Sequence, residues 1–203
     1  YHVHLIADEI AVGFGRTGTM FACEQAAIAP DFLCLGKGLT GGYLPLSVCL
    51  TTDEVYQAFY AEYTARKAFL HSHSYTGNPL ACSAALATLE IFHDDDVINR
   101  NQVLAAHMAR AAASLADHPR VSEVRQTGMI LAIEMVKDKK TREPFPWLER
   151  RGLSVYRYAL ELGALLRPLG DVIYFMPPYV IRPEEIDLLA KIAQEGINTA
   201  TTE

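Results

Sequence analysis

Leu33-Cys34-Leu35-Gly36-Lys37-Gly38-Leu39-Thr40-Gly41-Gly42 is the stretch on which the fold reading turns. The short apolar run Phe32 to Leu35 reads as a buried strand, and it ends in a lysine flanked by glycines. A strand running into a core is a poor site for a solvated ammonium. Glycine on both sides strips away bulk, so something large and flat can come close to the amine. Burial also lowers the pKa of a lysine in general, which supplies the neutral amine that Schiff-base chemistry needs. The competing reading is a surface lysine in a glycine-rich turn, and on this stretch alone the two balance.

The next clue lies upstream. Val3 to Ala7 reads as a strand that delivers Asp8-Glu9 at its end. Asp8 therefore ends one predicted strand, and Lys37 follows the next after a short connection. In an open α/β sheet, functional groups gather beyond the carboxyl ends of the strands. A buried carboxylate and an amine delivered side by side match the needs of pyridoxal phosphate: the lysine forms the Schiff base, and the acid keeps the pyridine nitrogen protonated so that the ring can act as an electron sink. Taken alone, Asp8 reads as an ordinary salt-bridge partner or cap.

Between them, Gly13-Phe14-Gly15-Arg16-Thr17-Gly18 matches the G-x-G-x-x-G dinucleotide pattern, with Asp31 at a tempting distance. That fingerprint needs its glycines at a strand-to-helix turn, where the helix N-terminus faces a pyrophosphate. Here two carboxylates stand at the strand end, and Thr19 to Ala29 is too short for the required helix before Pro30. The run reads as a glycine-rich loop.

With 203 residues the chain has material for one large domain or two small ones. Half of its residues are hydrophobic and a fifth are charged, as in a globular protein, and the net charge of -6 argues against nucleic acid as a partner. No run approaches a membrane span and no signal peptide is visible. Cys23, Cys34, Cys49 and Cys82 sit in apolar contexts without CxxC or zinc spacing and read as reduced core thiols, which points to the cytoplasm. The chain starts without Met, already inside a strand whose first neighbours are expected elsewhere, so it reads as the C-terminal part of a longer protein.

Further along, Pro45 to Leu50 reads as a third strand, and Thr51-Thr52-Asp53-Glu54 as a capping box opening a helix through Val55 and Phe59. The polar loop His71 to Gly77 leads to Asn78-Pro79, an N-cap with proline at the first helical position, and the helix Leu80 to Phe92 is expected to be buried on most sides. Asp94-Asp95-Asp96 marks the expected boundary between domains 1–93 and 94–203. Beyond it come an amphipathic helix Val97 to Ala116, a strand region Val121 to Val136 broken by Gly128, and a solvated charged turn Lys137 to Arg142. A helix Trp147 to Leu162 closed by Gly163, a hairpin of Ala164 to Leu169 with Val172 to Tyr174, and a last helix from Pro183 complete the chain.

Ile6-Ala7-Asp8-Glu9-Ile10, Gly13 to Gly18, Leu35 to Tyr43 and His73-Ser74-Tyr75-Thr76-Gly77-Asn78-Pro79-Leu80-Ala81 together resemble the class III (ω-type) aminotransferases. Thr40 to Tyr43, Arg167-Pro168 and Met176-Pro177-Pro178-Tyr179 resemble the branch of that family serving biotin biosynthesis, which acts on an oxo-acid acceptor with S-adenosylmethionine or lysine as amino donor. The resemblance implies an α/β chain of PLP-dependent transferase fold type I, made of the C-terminal part of the large-domain sheet and a small α+β C-terminal domain. It implies pyridoxal phosphate as cofactor, Lys37 as Schiff-base lysine and proton shuttle, and Asp8 as partner of the pyridinium nitrogen. Ser74 and the backbone of His73 would reach the cofactor phosphate of the other subunit, so the active site needs a homodimer. Ser72 would line the substrate pocket, Arg167 would clamp the oxo-acid carboxylate, and Arg16 would border the same pocket.

The arginines have plainer readings in their own residues, a surface ion pair for Arg167 and a loop-fixing arginine for Arg16, and Tyr174, which would also face the substrate, reads equally as a core tyrosine. His71 and His73 form an H-x-H pair without a third ligand, so no metal site is expected. Arg182 departs from the pattern, standing where a Ser or Thr cap before Pro183 is expected. The family's phosphate-cradling turn and ring-stacking aromatic belong to its N-terminal half and have no equivalent here. Three readings remain: the cofactor half of an aminotransferase, a nicotinamide-binding oxidoreductase, and a fragment that is catalytically silent by itself. The first and third are compatible.

Overall fold

Two short apolar runs, Ile6–Asp8 (β1) and Phe32–Leu35 (β2), lie side by side and parallel, with Asp8 level with Cys34. The computed structural model in which they pair describes residues 3–202. Val48–Thr51 (β3) joins the other edge of β2 in the antiparallel sense, giving the order β1-β2-β3. β1 is shorter than the expected Val3 to Ala7. Leu5 instead spends its backbone groups on the segment entering β2: its N–H donates to Asp31 Oδ2 at 2.7 Å, and its carbonyl accepts from the Asp31 and Phe32 N–H groups at 3.0 and 3.1 Å. β3 starts at Val48 rather than Pro45 because β2 ends at Leu35, the partner of Val48, and leaves the preceding residues nothing to pair with.

The chain divides into two compact units between Ile98 and Asn99. In the first, Phe14, Leu35, Leu39 and Ala85 form a small buried centre, with Phe21, Leu33, Val48 and Phe92 packed against it. The helix Asp53–Phe59 (α1) is capped by Thr52, whose hydroxyl accepts from Val55 N–H at 3.4 Å. The cap is thus one residue later than the Thr51-to-Glu54 box expected from sequence, and Glu54 falls outside the reciprocal position. Pro79–Asp94 (α2) starts as expected, with Asn78 Oδ1 accepting from the Leu80 and Ala81 N–H groups at 3.0 and 3.4 Å. Its predicted burial on most sides is not found. Only Ala81 and Ala85 are buried, while Leu80, Leu86 and Ile91 are more than half exposed, because a single face of the helix packs on the centre of this unit.

The second unit is built on a four-stranded antiparallel sheet. Val97–Ala111 (α3) starts two residues before the boundary and is shorter than expected, since the backbone tightens into a 3₁₀ turn over Ala113–Asp117. Val121–Thr127 (β4) and Ile130–Met135 (β5) form a hairpin about Gly128, whose φ of 54° is a left-handed value that glycine reaches without strain. The helix expected from Trp147 is interrupted: a 3₁₀ turn over Trp147–Glu149 ends at Arg150, with φ at 50°, and Arg151–Glu161 (α4) restarts there. Asp171 Oδ1 takes the Gly152 N–H at 3.2 Å and so caps the restarted helix.

Arg167–Leu169 (β6) and Val172–Phe175 (β7) pair about Gly170, and β7 also pairs with β5, giving the order β4-β5-β7-β6. Pro183–Thr201 (α5) closes the unit. Arg182 precedes it as noted from sequence, and Glu185 reaches back to accept the Arg182 N–H at 2.8 Å, supplying half of a capping box from the acid side. Alternate residues of β5 (Leu131, Ile133, Met135) meet Met108, Val155, Ile186 and Ile197 in one apolar core. Among the described residues no helix is long and apolar enough to cross a membrane.

Candidate active site

β2 leads into Gly36 and then Lys37, the first residue of a 3₁₀ turn over Lys37–Thr40. Lys37 has φ at 41°, a conformation that costs a side-chain-bearing residue about 1–2 kcal/mol and has to be held by its surroundings. Leu39 and Thr40 supply the hold: both are buried, and the Thr40 hydroxyl donates to the Leu44 carbonyl at 2.5 Å. The flanking glycines sit close against what lies behind the turn. A Cβ on Gly36 would stand 3.3 Å from Ile10 Cγ2, and one on Gly38 would stand 3.1 Å from the Phe14 side chain. The sequence reading assigned that space to a flat ligand. Lys37 itself is exposed, as is Asp8, so the expected burial of the amine and the carboxylate is not provided within this chain. Both emerge past the end of a sheet in which β1 is an edge strand.

Asp8 and Lys37 are nonetheless delivered to the same end of two adjacent parallel strands. Asp8 is the last residue of β1, and its Oδ1 accepts the Ile10 N–H at 3.1 Å. The next residue, Glu9, has a structural role that sequence reasoning left unassigned. Its side chain is buried, its N–H donates to the Cys34 carbonyl at 3.0 Å, and its two carboxylate oxygens accept from Ala22 and Cys23 N–H at 2.9 and 2.7 Å. Glu9 thereby anchors the glycine loop to the strand end. The only signal available beforehand was its place beside Asp8. Desolvation, followed by the charge of Glu9, pushes the Cys23 thiol above its ordinary pKa.

The loop Gly13 to Gly18 closes on itself, with Gly15 N–H donating to Met20 and Gly18 N–H to Gly15, and only a 3₁₀ turn over Ala22–Ala26 follows. Among the described residues, that turn stands where the dinucleotide fingerprint would need the N-terminus of a full helix. Arg16 in this loop is half-buried and engaged by its neighbours. Ser72, His73 and Ser74 are exposed in the loop before α2. The Thr76 N–H turns back to the His73 carbonyl at 2.9 Å and the Tyr75 N–H to His73 Nδ1 at 3.2 Å, while Asn78 occupies the first N–H groups of α2. What the loop offers outward includes the hydroxyls of Ser72 and Ser74.

α2 packs against the Lys37–Thr40 turn, where a Cβ on Gly41 would lie 3.4 Å from Thr88 Oγ1. Arg167 belongs to the second unit, exposed on β6, and is paired in register with the half-buried Tyr174 of β7.

Residues 1–197 match the model of the family described as aminotransferase class-III. The chain belongs to that family. A class-III aminotransferase relative from Helicobacter pylori, named adenosylmethionine-8-amino-7-oxononanoate aminotransferase, is 51% identical over 189 residues, covering 91% of this chain and 42% of the relative. A crystal structure of the enzyme of the same name from Methanocaldococcus jannaschii superposes with a TM-score of 0.94 at 46% identity, covering 98% of this chain and 47% of that one. An aminotransferase from Vibrio fluvialis, solved in a PMP-bound form, gives 0.92 at 25% identity, covering 98% of this chain and 44% of that one. The chain thus spans less than half the length of these class-III relatives, and its fold is that of the PLP-dependent transferases of fold type I.

Proposed function

We propose that the whole protein is a pyridoxal-phosphate-dependent aminotransferase that converts 8-amino-7-oxononanoate to 7,8-diaminononanoate in biotin biosynthesis, with S-adenosylmethionine as amino donor. The observation that carries the enzymatic reading is the delivery of Asp8 and Lys37 to the carboxyl ends of adjacent parallel strands. The substrate assignment is supported by relatives 45–51% identical that bear this enzyme's name.

The residues present fit the cofactor by their chemistry: a carboxylate for a protonated ring nitrogen, an amine for an aldehyde, and exposed hydroxyls ahead of a helix N-terminus for a phosphate. When bound, pyridoxal phosphate supplies a carbonyl that captures amines and a ring that accepts electron density from the substrate. Lys37 Nζ anchors the cofactor and moves the proton at the substrate carbon that carries the amine. Asp8 holds the ring-nitrogen proton in place. Ser74 and the His73 backbone bind the phosphate held by a second subunit, so two copies share their sites, and Ser72 lines the substrate pocket. Arg167 holds the oxo-acid carboxylate through its planar fork, and Arg16 is a further substrate-binding arginine.

The many exposed apolar side chains of the first unit, Tyr56, Tyr63, Leu70 and Leu80 among them, favour a homodimeric protein in which further polypeptide covers them. We place the protein in the cytoplasm, and this chain by itself is expected to be inert. Spectroscopy and product analysis on the whole protein test the reading. A visible band on adding pyridoxal phosphate, abolished by borohydride, together with formation of 7,8-diaminononanoate that depends on S-adenosylmethionine, is the expected result. A band without conversion of this oxo acid would favour another ω-aminotransferase, and absence of a band would remove the enzymatic reading.

A further inference from the structure

The left-handed backbone of Lys37 lies in a tightly tied stretch. Leu39 N–H donates to the Gly36 carbonyl at 2.9 Å, Gly41 N–H to Gly38 at 3.0 Å and Tyr43 N–H to Thr40 at 3.2 Å, so three turns follow one another from Gly36 to Tyr43. The last tie is made by a side chain. The Thr40 hydroxyl donates to the Leu44 carbonyl, and Gly41 and Gly42, both at positive φ, bring the chain back to it. Two residues further on, Leu46 passes behind the lysine turn, where a Cβ on Gly36 would stand 3.5 Å from its carbonyl oxygen. Thr40 therefore joins the segment that carries Lys37 to the segment that returns to β3. Leu39 and Thr40 are already buried within this chain, so the tie does not depend on further polypeptide covering it.

We infer that Thr40 is a positioning residue for Lys37: its bond to the Leu44 carbonyl fixes the backbone from which Nζ is presented to the reacting carbon. The inference rests on the role proposed above for Lys37 and adds what sets its aim. A residue with a side chain relaxes out of the left-handed region unless its surroundings hold it there. On one side of Lys37 the hold is β2, which is paired along both edges. On the other side it is the turn that Thr40 closes. Leu39 seats this turn in the apolar centre of the first unit, but apolar contact has no preferred direction, whereas the hydroxyl-to-carbonyl bond does. Removing the hydroxyl deprives the Leu44 carbonyl of this donor and lets the end of the turn swing. A change in φ at Lys37 rotates its Cα–Cβ direction, and the long side chain carries that rotation out to Nζ as a larger displacement. Because the same amine serves both half-reactions, its misplacement slows both alike, unlike the loss of a residue that binds one substrate.

The test compares Thr40→Val, which keeps the branched shape and loses the hydroxyl, with Thr40→Ser, which keeps the hydroxyl, in the whole protein. Rates are taken per bound cofactor, counted from the borohydride-sensitive band, so that loss of folded protein does not enter. In Thr40→Val both half-reactions are expected to slow by the same factor, roughly 10- to 100-fold, the scale on which misplacement of a reacting group acts. The half-saturating substrate concentrations are expected to stay unchanged, and Thr40→Ser to recover most of the rate. A second readout needs no cofactor. In the apoprotein, hydrogen exchange at the Leu39, Gly41 and Tyr43 amides should quicken in Thr40→Val and return towards wild type in Thr40→Ser. Thr40→Ala carries the same expectations and stands in where Thr40→Val does not fold. Wild-type rates per cofactor in these variants overturn the inference, even if stability falls, and so do turn amides that exchange as slowly as before. Slowing of one half-reaction alone overturns it too, by making Thr40 a substrate contact. A wild-type protein that gives no band removes the role of Lys37 and this inference with it, a failure distinct from one confined to the variants.

Discussion

Arg167 and Tyr174 stand opposite each other across the β6–β7 pair, on the face of the sheet turned away from the buried Ile173 and Phe175. The register places a guanidinium beside a phenol on a strand stiffened by Pro168, and that combination suits recognition of a carboxylate better than an isolated surface arginine does.

Arg167→Ala in the whole protein should therefore weaken use of the oxo acid far more than the half-reaction with the amino donor. Losing one partner of a desolvated charge pair costs about 2–5 kcal/mol, roughly a 30-fold to several-thousand-fold change in affinity. Arg167→Lys should restore little of it, because a point charge does not replace a planar fork. The two half-reactions can be followed separately by the colour change of the cofactor. Equal impairment of both would assign Arg167 a structural role.

Lys37→Ala should remove the borohydride-sensitive band and lower turnover by roughly 10²- to 10⁴-fold or more, since the anchor and the proton carrier are lost together. Substantial remaining turnover would take Lys37 out of the mechanism. Asp8→Asn should keep the band while slowing removal of the substrate proton, which a deuterium isotope effect on the half-reaction would report.

Gly152→Ala tests the packing of the second unit. A Cβ at this position would run into the Gly170 carbonyl oxygen, with Pro168 Cβ 3.0 Å away. The start of α4 would have to lift from the β6–β7 turn and give up its hydrogen bond to Asp171. A loss of about 1–3 kcal/mol is expected, measured as a lowered urea midpoint, whereas a neutral outcome would mean that the turn moves freely.

Asp31 gives the protein an acid-sensitive contact. Its carboxyl is held below the usual carboxylate range, mainly by the Leu5 N–H and secondarily by His4 at 3.7 Å. A depressed folded-state pKa means that this contact contributes fully above the unfolded value of about 3.9. The contribution is lost as pH falls through the lower folded value. Carbon-13 titration of the Asp31 carboxyl should give a value below that of a free aspartate, and His4→Ala should shift it only slightly. A large shift in that variant would make the histidine the main cause.

Much of the fold was legible because its signals are local. Asn78-Pro79 opens α2 whatever surrounds it, Gly128 and Gly170 turn two hairpins because left-handed backbone suits glycine, and Pro183 with the acids behind it starts α5. The delivery of Asp8 and Lys37 to the ends of adjacent strands could be read the same way, from a carboxylate at one strand end and an amine at the next. Some misreadings were themselves local, such as the cap of α1 and the 3₁₀ turns beside α3 and α4, while others concern groups whose partners are distant in sequence. α2 has the composition of a buried helix, but burial depends on what packs against it, and in this chain one face is covered.

By itself, the amino-acid sequence determined the elements, the family motif and the residue types brought to the strand ends, because capping, turn chemistry and strand patterning act over a few residues. Only the tertiary structure decided that Gly36 and Gly38 make room for Ile10 and Phe14, that Glu9 anchors the loop through two backbone amides, and that β7 inserts between β5 and β6. It also decided that Cys34 faces Cys49. Each of these is a register or a contact between segments far apart along the chain, and a shift of one residue in a strand would have reversed which side chains meet.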